Sequence, residues 1–342
     1  MRPCLLIFLI SIWGSNAQAF YTHENDQLSQ EIRGVLYGSS GFVDSKLASE
    51  ISARLMYNVD LSNWHMEYHQ VWQERFATTN QYQTQADRFN VSFSNESFYL
   101  KVGRQAINLA TTFYFSPNDF FAPFSVQTFN RDFKQGVDAL QTELQLGELS
   151  QLSLLFVNNQ QQNLPTSSIV RFESAFENLS WMILAGEVND QPQVRRQIIG
   201  GSIQTDIFDS IGIRAEGHID KHANQRNVEW VFGLEHRWLN ELNLNLEWFN
   251  HGAKSITNNL PYSGSQYLAV GLSYPFTPLL NGSFSVIQNM DDYSRLHTAY
   301  LNYSLSNEST VSLYALQPTG QSIITEFSYV SPVVGLELFL YF

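Results

Sequence analysis

The sequence predicts an all-β fold, a transmembrane antiparallel β-barrel of about 18 strands with 16 as the alternative. Three observations carry that prediction. Apolar and polar residues alternate at period two through nearly the whole chain. The alternating runs are about 9 to 12 residues long, the length of a tilted strand crossing a bilayer. The 342 residues carry only 15% charge but 14% aromatics, with 25 Phe and 16 Tyr, a surface short of charge. No apolar run beyond the N-terminus approaches the roughly eighteen residues of a membrane helix, which excludes a helical membrane protein.

The runs show their two faces plainly. Ile51, Ala53, Leu55 and Tyr57 lie opposite Glu50, Ser52, Arg54 and Asn58, and Trp64, Met66, Tyr68 and Trp72 lie opposite His65, Glu67, His69 and Gln73. Val228, Trp230, Phe232 and Leu234 oppose Asn227, Glu229 and Glu235. Between runs, tight turns such as Asp60 to Asn63, Glu177 to Asn178 and Asn240 to Glu241 alternate with longer polar segments: Asn158 to Ser167, Glu187 to Arg196, Asp220 to Asn227 and His251 to Ser265. Short turns on one side and longer loops on the other mark an outer-membrane barrel. Nineteen candidate runs can be counted, whereas bacterial barrels use even numbers. One run is therefore surplus, and the doubtful ones are the Gly-rich first (Ile32 to Gly38) and the closely spaced last three from Val311 onward.

The chain's two ends agree with this reading. Leu5 to Trp13 is an apolar core of signal-peptide length, and Ala17-Gln18-Ala19 is a small-x-small cleavage site, so residues 1–19 are expected to be a signal peptide and 20–342 a single barrel domain. The only cysteine, Cys4, leaves with that segment. Disulfide, metal-thiolate and Cys-nucleophile chemistry leave with it, and no cofactor or metal is expected. Without Arg2 the balance is 18 basic to 32 acidic residues, a net charge of −14, which disfavours a nucleic-acid partner. The C-terminus alternates to a final aromatic, Phe342. It resembles the signal read by the barrel-assembly machinery of Gram-negative bacteria, implying an outer-membrane location among lipid and lipopolysaccharide. A secreted β-sandwich or propeller would also alternate. It would expose a charged face, however, whereas the polar face here is mostly Asn, Gln, Ser and Gly.

One segment breaks the alternation. Residues 105–135 form a loop too long for an ordinary connection, and loops of that length are usually functional. It is rich in aromatics, carries Ser116-Pro117-Asn118-Asp119, and ends in Arg131-Asp132-Phe133-Lys134. Such a loop either folds into the lumen and narrows a pore, with Asn118, Asp119, Arg131, Asp132 and Lys134 at the constriction, or packs over a rim or a subunit contact. At its root, Arg104 and Asp138 fall in the lipid-facing phase of their strands beside Gly103 and Gly136. A lone charge there is costly and a glycine permits a bulge. Either the two bond and anchor the loop, or both reach the polar interface.

The same stretch carries a family resemblance. Gly103-Arg104-Gln105-x-Ile107, Pro117-x-Asp119-x-Phe121-x-Pro123, Arg131 and Gly136-Val137-Asp138-Ala139 resemble a pattern of poorly characterised porin-like outer-membrane proteins of proteobacteria. That pattern has Trp-Gly where this chain has Leu109-Ala110. The resemblance implies a barrel and a pore and names no solute.

Reading the polar phase as lumen places Arg54, Glu67, Arg214, Glu216, Glu229, Glu235 and Arg237 inside, in a mixed and mildly acidic lining. The tight turns hold Asp60, Glu96, Glu148, Glu177, Asp206, Asp209, Glu241 and Glu308 without a base. That ring either gathers cations or reflects the liking of turns for Asp. Two constellations bear on enzymes: His218-Ile219-Asp220-Lys221-His222 with Asp291-Asp292, and His251 with Ser255. Neither is specific, and no enzyme is expected. His218 and His222 offer at most a weak metal pair. The expected function is passive diffusion of small polar solutes, mildly favouring cations, with a homo-oligomer left open. A non-conducting scaffold or surface-binding barrel is the alternative, and an outer-membrane hydrolase a more distant one.

Overall fold

A computed structural model describes residues 21–342 apart from 25–27, 44–45, 77–79, 125–132, 159–164, 192–193, 208–209, 223–224, 253–261 and 321–324. The expected signal peptide, Arg131, Asp132 and Ser255 therefore lie outside the described residues.

The strands run β1 (Tyr21–Glu24), β2 (Leu28–Val43), β3 (Lys46–Leu61), β4 (Trp64–Phe76), β5 (Gln81–Ser94), β6 (Phe98–Gln105) and β7 (Val137–Gly147). They continue with β8 (Ser150–Asn158), β9 (Ser167–Phe176), β10 (Leu179–Gln191), β11 (Val194–Ile207), β12 (Ile211–His222) and β13 (Gln225–Arg237). The last six are β14 (Asn243–Asn250), β15 (Gln266–Thr277), β16 (Leu280–Asn289), β17 (Arg295–Ser306), β18 (Ser309–Thr319) and β19 (Val333–Tyr341). Each of β2 to β19 pairs antiparallel with the next, and β19 returns to β2 from Val333↔Val43 to Tyr341↔Val35. Backbone bonds between Gly34 and Phe342, 3.0 and 2.8 Å, finish the seam. The ring of 18 leaves no open edge among its own strands.

The surplus run is now placed. The Gly-rich first run is β2, and β18 and β19 are both wall strands, but between them Glu326–Tyr329 forms a 3-10 turn. The nineteenth strand, β1, stands outside the ring and pairs with β2 only from Tyr21↔Ile32 to Glu24↔Ser29, beyond the point where β19 ends.

The tight turns lie together at one rim, as expected. At the other rim most of two expected loops is strand: β10 and β11 pair out to Gln191↔Val194 across a register shift after Val188, and β12 and β13 pair out to His222↔Gln225. Polarity there marks where the wall leaves the lipid, and the backbone ladder continues past that level.

The burial pattern is inverted relative to a soluble protein. Ile199 is 70% exposed, Ile183 55% and Trp248 47%, while Glu216, Glu229 and Glu247 are buried. On the outer surface Phe232 faces Trp248, Leu246 faces Val270, and Leu272 faces Phe284 across strand pairs. A continuous apolar exterior of this kind is the lipid-facing band of a membrane barrel. Among the described residues no helix is long and apolar enough to cross a membrane; the crossing is made by strands.

Two apolar clusters fill part of the interior. One joins Ile107, Leu109, Phe120 and Phe121 of the long loop to the wall from β7 to β11; the other seats Phe115 among Val231, Phe249, Tyr267 and Leu296. The core is thus a crescent between the loop and one side of the wall.

Candidate functional site

The long connection leaves β6 at Gln105 and enters β7 at Val137, and it turns into the barrel. Its root depends on local backbone chemistry. Gly103 has φ +120°, and a Cβ there would lie 2.2 Å from the Phe89 carbonyl oxygen, so only glycine fits. Next to it, Arg104 and Asp138 are directly opposed across β6 and β7. Arg104 Nε donates to Asp138 Oδ1 at 2.8 Å and Nη2 to Oδ2 at 3.1 Å, while Nη1 reaches the Ala86 carbonyl at 3.1 Å. The bidentate pair satisfies two charges that the regular phase would have turned toward lipid.

The outgoing limb is fixed by carboxylates of the far wall. The Thr111 N–H and hydroxyl both donate to Glu216 Oε2, and the Arg214 guanidinium donates to the Thr111 carbonyl at 3.0 Å while lying 4.3 Å from the Phe113 ring centre. The backbone N–H groups of Phe113, Tyr114 and Phe115 converge on the Glu247 carboxylate at 2.5, 2.9 and 3.1 Å. Phe115 stacks on Phe249 with ring centres 4.9 Å apart. The Tyr114 hydroxyl rests where a side chain at residue 271 would begin, 1.6 Å from the Cβ that Gly271 lacks. Asn118 donates through its backbone to Glu216 and through Nδ2 to the Gly201 carbonyl at 3.0 Å.

The returning limb is tied to the opposite wall. Lys134 Nζ pairs with Asp119, and the Lys134 carbonyl accepts from Arg88. Both side chains are buried, and that burial pushes the Asp119 carboxyl up and the Lys134 ammonium down. Asp87 accepts from Arg54 at 2.7 Å, from Arg88 at 2.9 Å and from the Gly136 N–H at 3.0 Å. Asp87 occupies a register shift between β4 and β5, between Arg88↔His69 and Ala86↔Gln70. The shift explains how Asp87 and Arg88, adjacent in sequence, both reach the interior.

Among the described residues, a passage of about 760 Å³ lies between the loop and the wall formed by β18, β19 and β2 to β5. Its charges are Glu50, Asp87 and Glu337 against Arg54 and Arg75. Arg75 binds Glu50 at 2.8 Å, and Glu337 accepts from the hydroxyls of Tyr37 and Tyr300 at 3.0 and 3.2 Å. Phe124 and Phe133 of the loop form the facing side, with Arg54 4.2 Å from the Phe133 ring centre.

The sequence-derived positions therefore fall into separate groups. Arg54 borders the passage. Glu67 lies beside it in the wall, accepting from Asn90 at 2.9 Å and Lys101 at 3.3 Å. Arg214 and Glu216 serve the loop, with Glu235 3.2 Å from Arg214. Glu229 is buried among other polar groups, and Arg237 is exposed at the end of β13. The suspected Asp/His constellation is not assembled. Asp220 pairs with Arg196 and lies near His218, whereas Asp291 binds Ser265 and Asp292 binds Ser294 at the loop rim. His222 engages the Arg195 carbonyl at 3.1 Å. Asp87 escaped the sequence-based reading, whereas the alternation places Glu247 and Glu337 in the lumen without marking them as site residues. For Asp87 a signal existed, since two consecutive charges interrupt an alternating strand.

Fold and interior together define a membrane-spanning β-barrel narrowed by an inserted loop. The chain is similar in structure to OccD3 (OpdP) of Pseudomonas aeruginosa, at TM-score 0.62 and 12% identity over 95% of this chain and 93% of that one. It is likewise similar to OccAB4 of Acinetobacter baumannii (0.61, 10%, 94% and 99%) and to the outer membrane protein OprD of Pseudomonas aeruginosa (0.59, 11%, 95% and 95%). The fold is that of the Gram-negative outer-membrane porins. No protein-family model and no curated protein matches the chain.

Proposed function

We propose that the barrel is a passive channel carrying small polar solutes across the outer membrane, with a modest preference for cations. The observation that carries this reading is the passage beside the inserted loop, lined by three carboxylates against two guanidinium groups. The loop leans on the far wall and leaves this side polar, which suits solutes that keep part of their hydration. The apolar exterior belongs against outer-membrane lipid and lipopolysaccharide, and the run ending at Phe342 is assigned to the barrel-assembly machinery.

Reversal potentials of the purified protein in a planar bilayer under a potassium chloride gradient test the reading. Cation preference is expected at low salt and should fade near 1 M, where the Debye length is about 3 Å. Glu337→Gln should reduce it. A protein that never conducts overturns the channel assignment, and a clear anion preference overturns the polarity by giving control to Arg54 and Arg75.

A further inference from the structure

We propose that His218, Asp220 and Glu229 form a binding site for a divalent cation of the zinc type, set in the barrel wall beneath the inserted loop. His218 and Asp220 are two residues apart on β12 and share its inward face, and Glu229 is the cross-strand partner of His218 on β13. One ligand atom from each side chain lies within 4.8 Å of the other two. Rigid neighbouring strands therefore present one imidazole and two carboxylates to a common point.

The polar surroundings of the cluster suit a bound cation. The side chains of His218, Asp220 and Glu229 are each 1% exposed. Among the described residues, neither ring nitrogen of His218 has a hydrogen-bond partner, and neither has Asp220 Oδ1. His218 Nε2 stands 3.6 Å from Asp220 Oδ2, too far for a hydrogen bond. A buried imidazole and a buried carboxylate oxygen left in this state are expensive, and a bound cation removes the cost at both. The two carboxylates outweigh Arg196, which lies 3.6 Å from Asp220, so the cluster attracts positive charge.

The donor set selects the metal. Imidazole nitrogen with carboxylate oxygen suits zinc and its first-row neighbours, whereas calcium and magnesium prefer oxygen alone. Zinc bonds of about 2.0 Å place tetrahedral ligand atoms roughly 3.3 Å apart, so the three side chains need only close inward. His251 Nδ1, 3.6 Å from Glu229 Oε1, is placed to orient that carboxylate from behind. Phe120 of the loop covers the site edge-on, its ring centre 5.1 Å from that of His218. A cation held here would fasten the ground on which the loop rests.

The test uses the full-length barrel folded in detergent, stripped with EDTA and titrated with zinc chloride by calorimetry, with metal content measured after dialysis. One zinc per chain is expected, magnesium chloride should not compete, and His218→Gln and Glu229→Gln should each weaken binding about tenfold or more. Absence of saturable one-to-one binding by the wild-type protein overturns the proposal without reliance on any variant. Unchanged affinity in both variants, each shown to be folded by its heat-modifiable migration, overturns it by locating the zinc elsewhere. None of these readouts depends on conductance, so the channel assignment and the metal site stand or fall separately.

Discussion

Glu247→Ala removes the acceptor on which three consecutive loop amides converge. Hydrogen bonds to a charged group contribute about 1.5 to 3 kcal/mol net each. Losing those from Phe113, Tyr114 and Phe115 therefore weakens loop docking by at least about 4 kcal/mol, close to three decades in the docking equilibrium at 1.4 kcal/mol per decade. The barrel should survive, because Glu247 points inward while its strand keeps its ladder to Gly233 and Ala269. Single-channel recording reads the outcome as larger mean conductance with flicker when the tip leaves its seat. Glu247→Gln, which keeps one acceptor oxygen, should fall between. Wild-type conductance and noise in a folded Glu247→Ala protein would refute the claim that this carboxylate seats the loop.

Three further outcomes follow from the geometry. Leu246→Arg, at an outward position facing Val270, should destabilise the barrel by roughly 2 to 4 kcal/mol in urea unfolding, and Asn245→Arg far less; equal costs would undo the assignment of faces. Arg104→Ala, Asp138→Ala and the double variant should each raise conductance or noise, the double little more than either single, since both singles break one bidentate pair; a double effect equal to the sum would mean that the two act independently. Phe342→Ala keeps the two backbone bonds that close the seam on Gly34, so a drop in outer-membrane assembly measured for it reports on the aromatic ring, and undiminished assembly would remove the ring's role as a signal.

The faces of the strands were legible because burial in a barrel wall has the same period as the pleat: Trp230 and Phe232 turn out to lipid, and Glu229 and Glu235 turn in, as alternation requires. The glycines at the loop root were legible for a related reason, since Gly103 and Gly136 sit where charges depart from phase. What escaped was the division of labour among inward acids. Glu216, Glu229 and Glu247 look alike in sequence, yet Glu216 and Glu247 bind loop amides while Glu229 joins a histidine cluster. The difference depends on which wall a long loop leans against, and no local pattern encodes that. The Glu187 to Arg196 segment misled for the opposite reason, because a strand that has left the lipid keeps its backbone pairing and loses only its apolar face.

The passage borders the seam where β19 meets β2, so its lining comes from the first and last parts of the chain, whereas the outgoing limb of the loop is held by Glu216 of β12 and Glu247 of β14. This orders the events of biogenesis. The anchorage of that outgoing limb can form while the two chain ends are still apart, and the water path acquires its walls only when they join. A chain arrested before closure should already protect the amides of Phe113 to Phe115 against hydrogen exchange. It would not yet enclose a path for ions, so a half-built barrel need not leak.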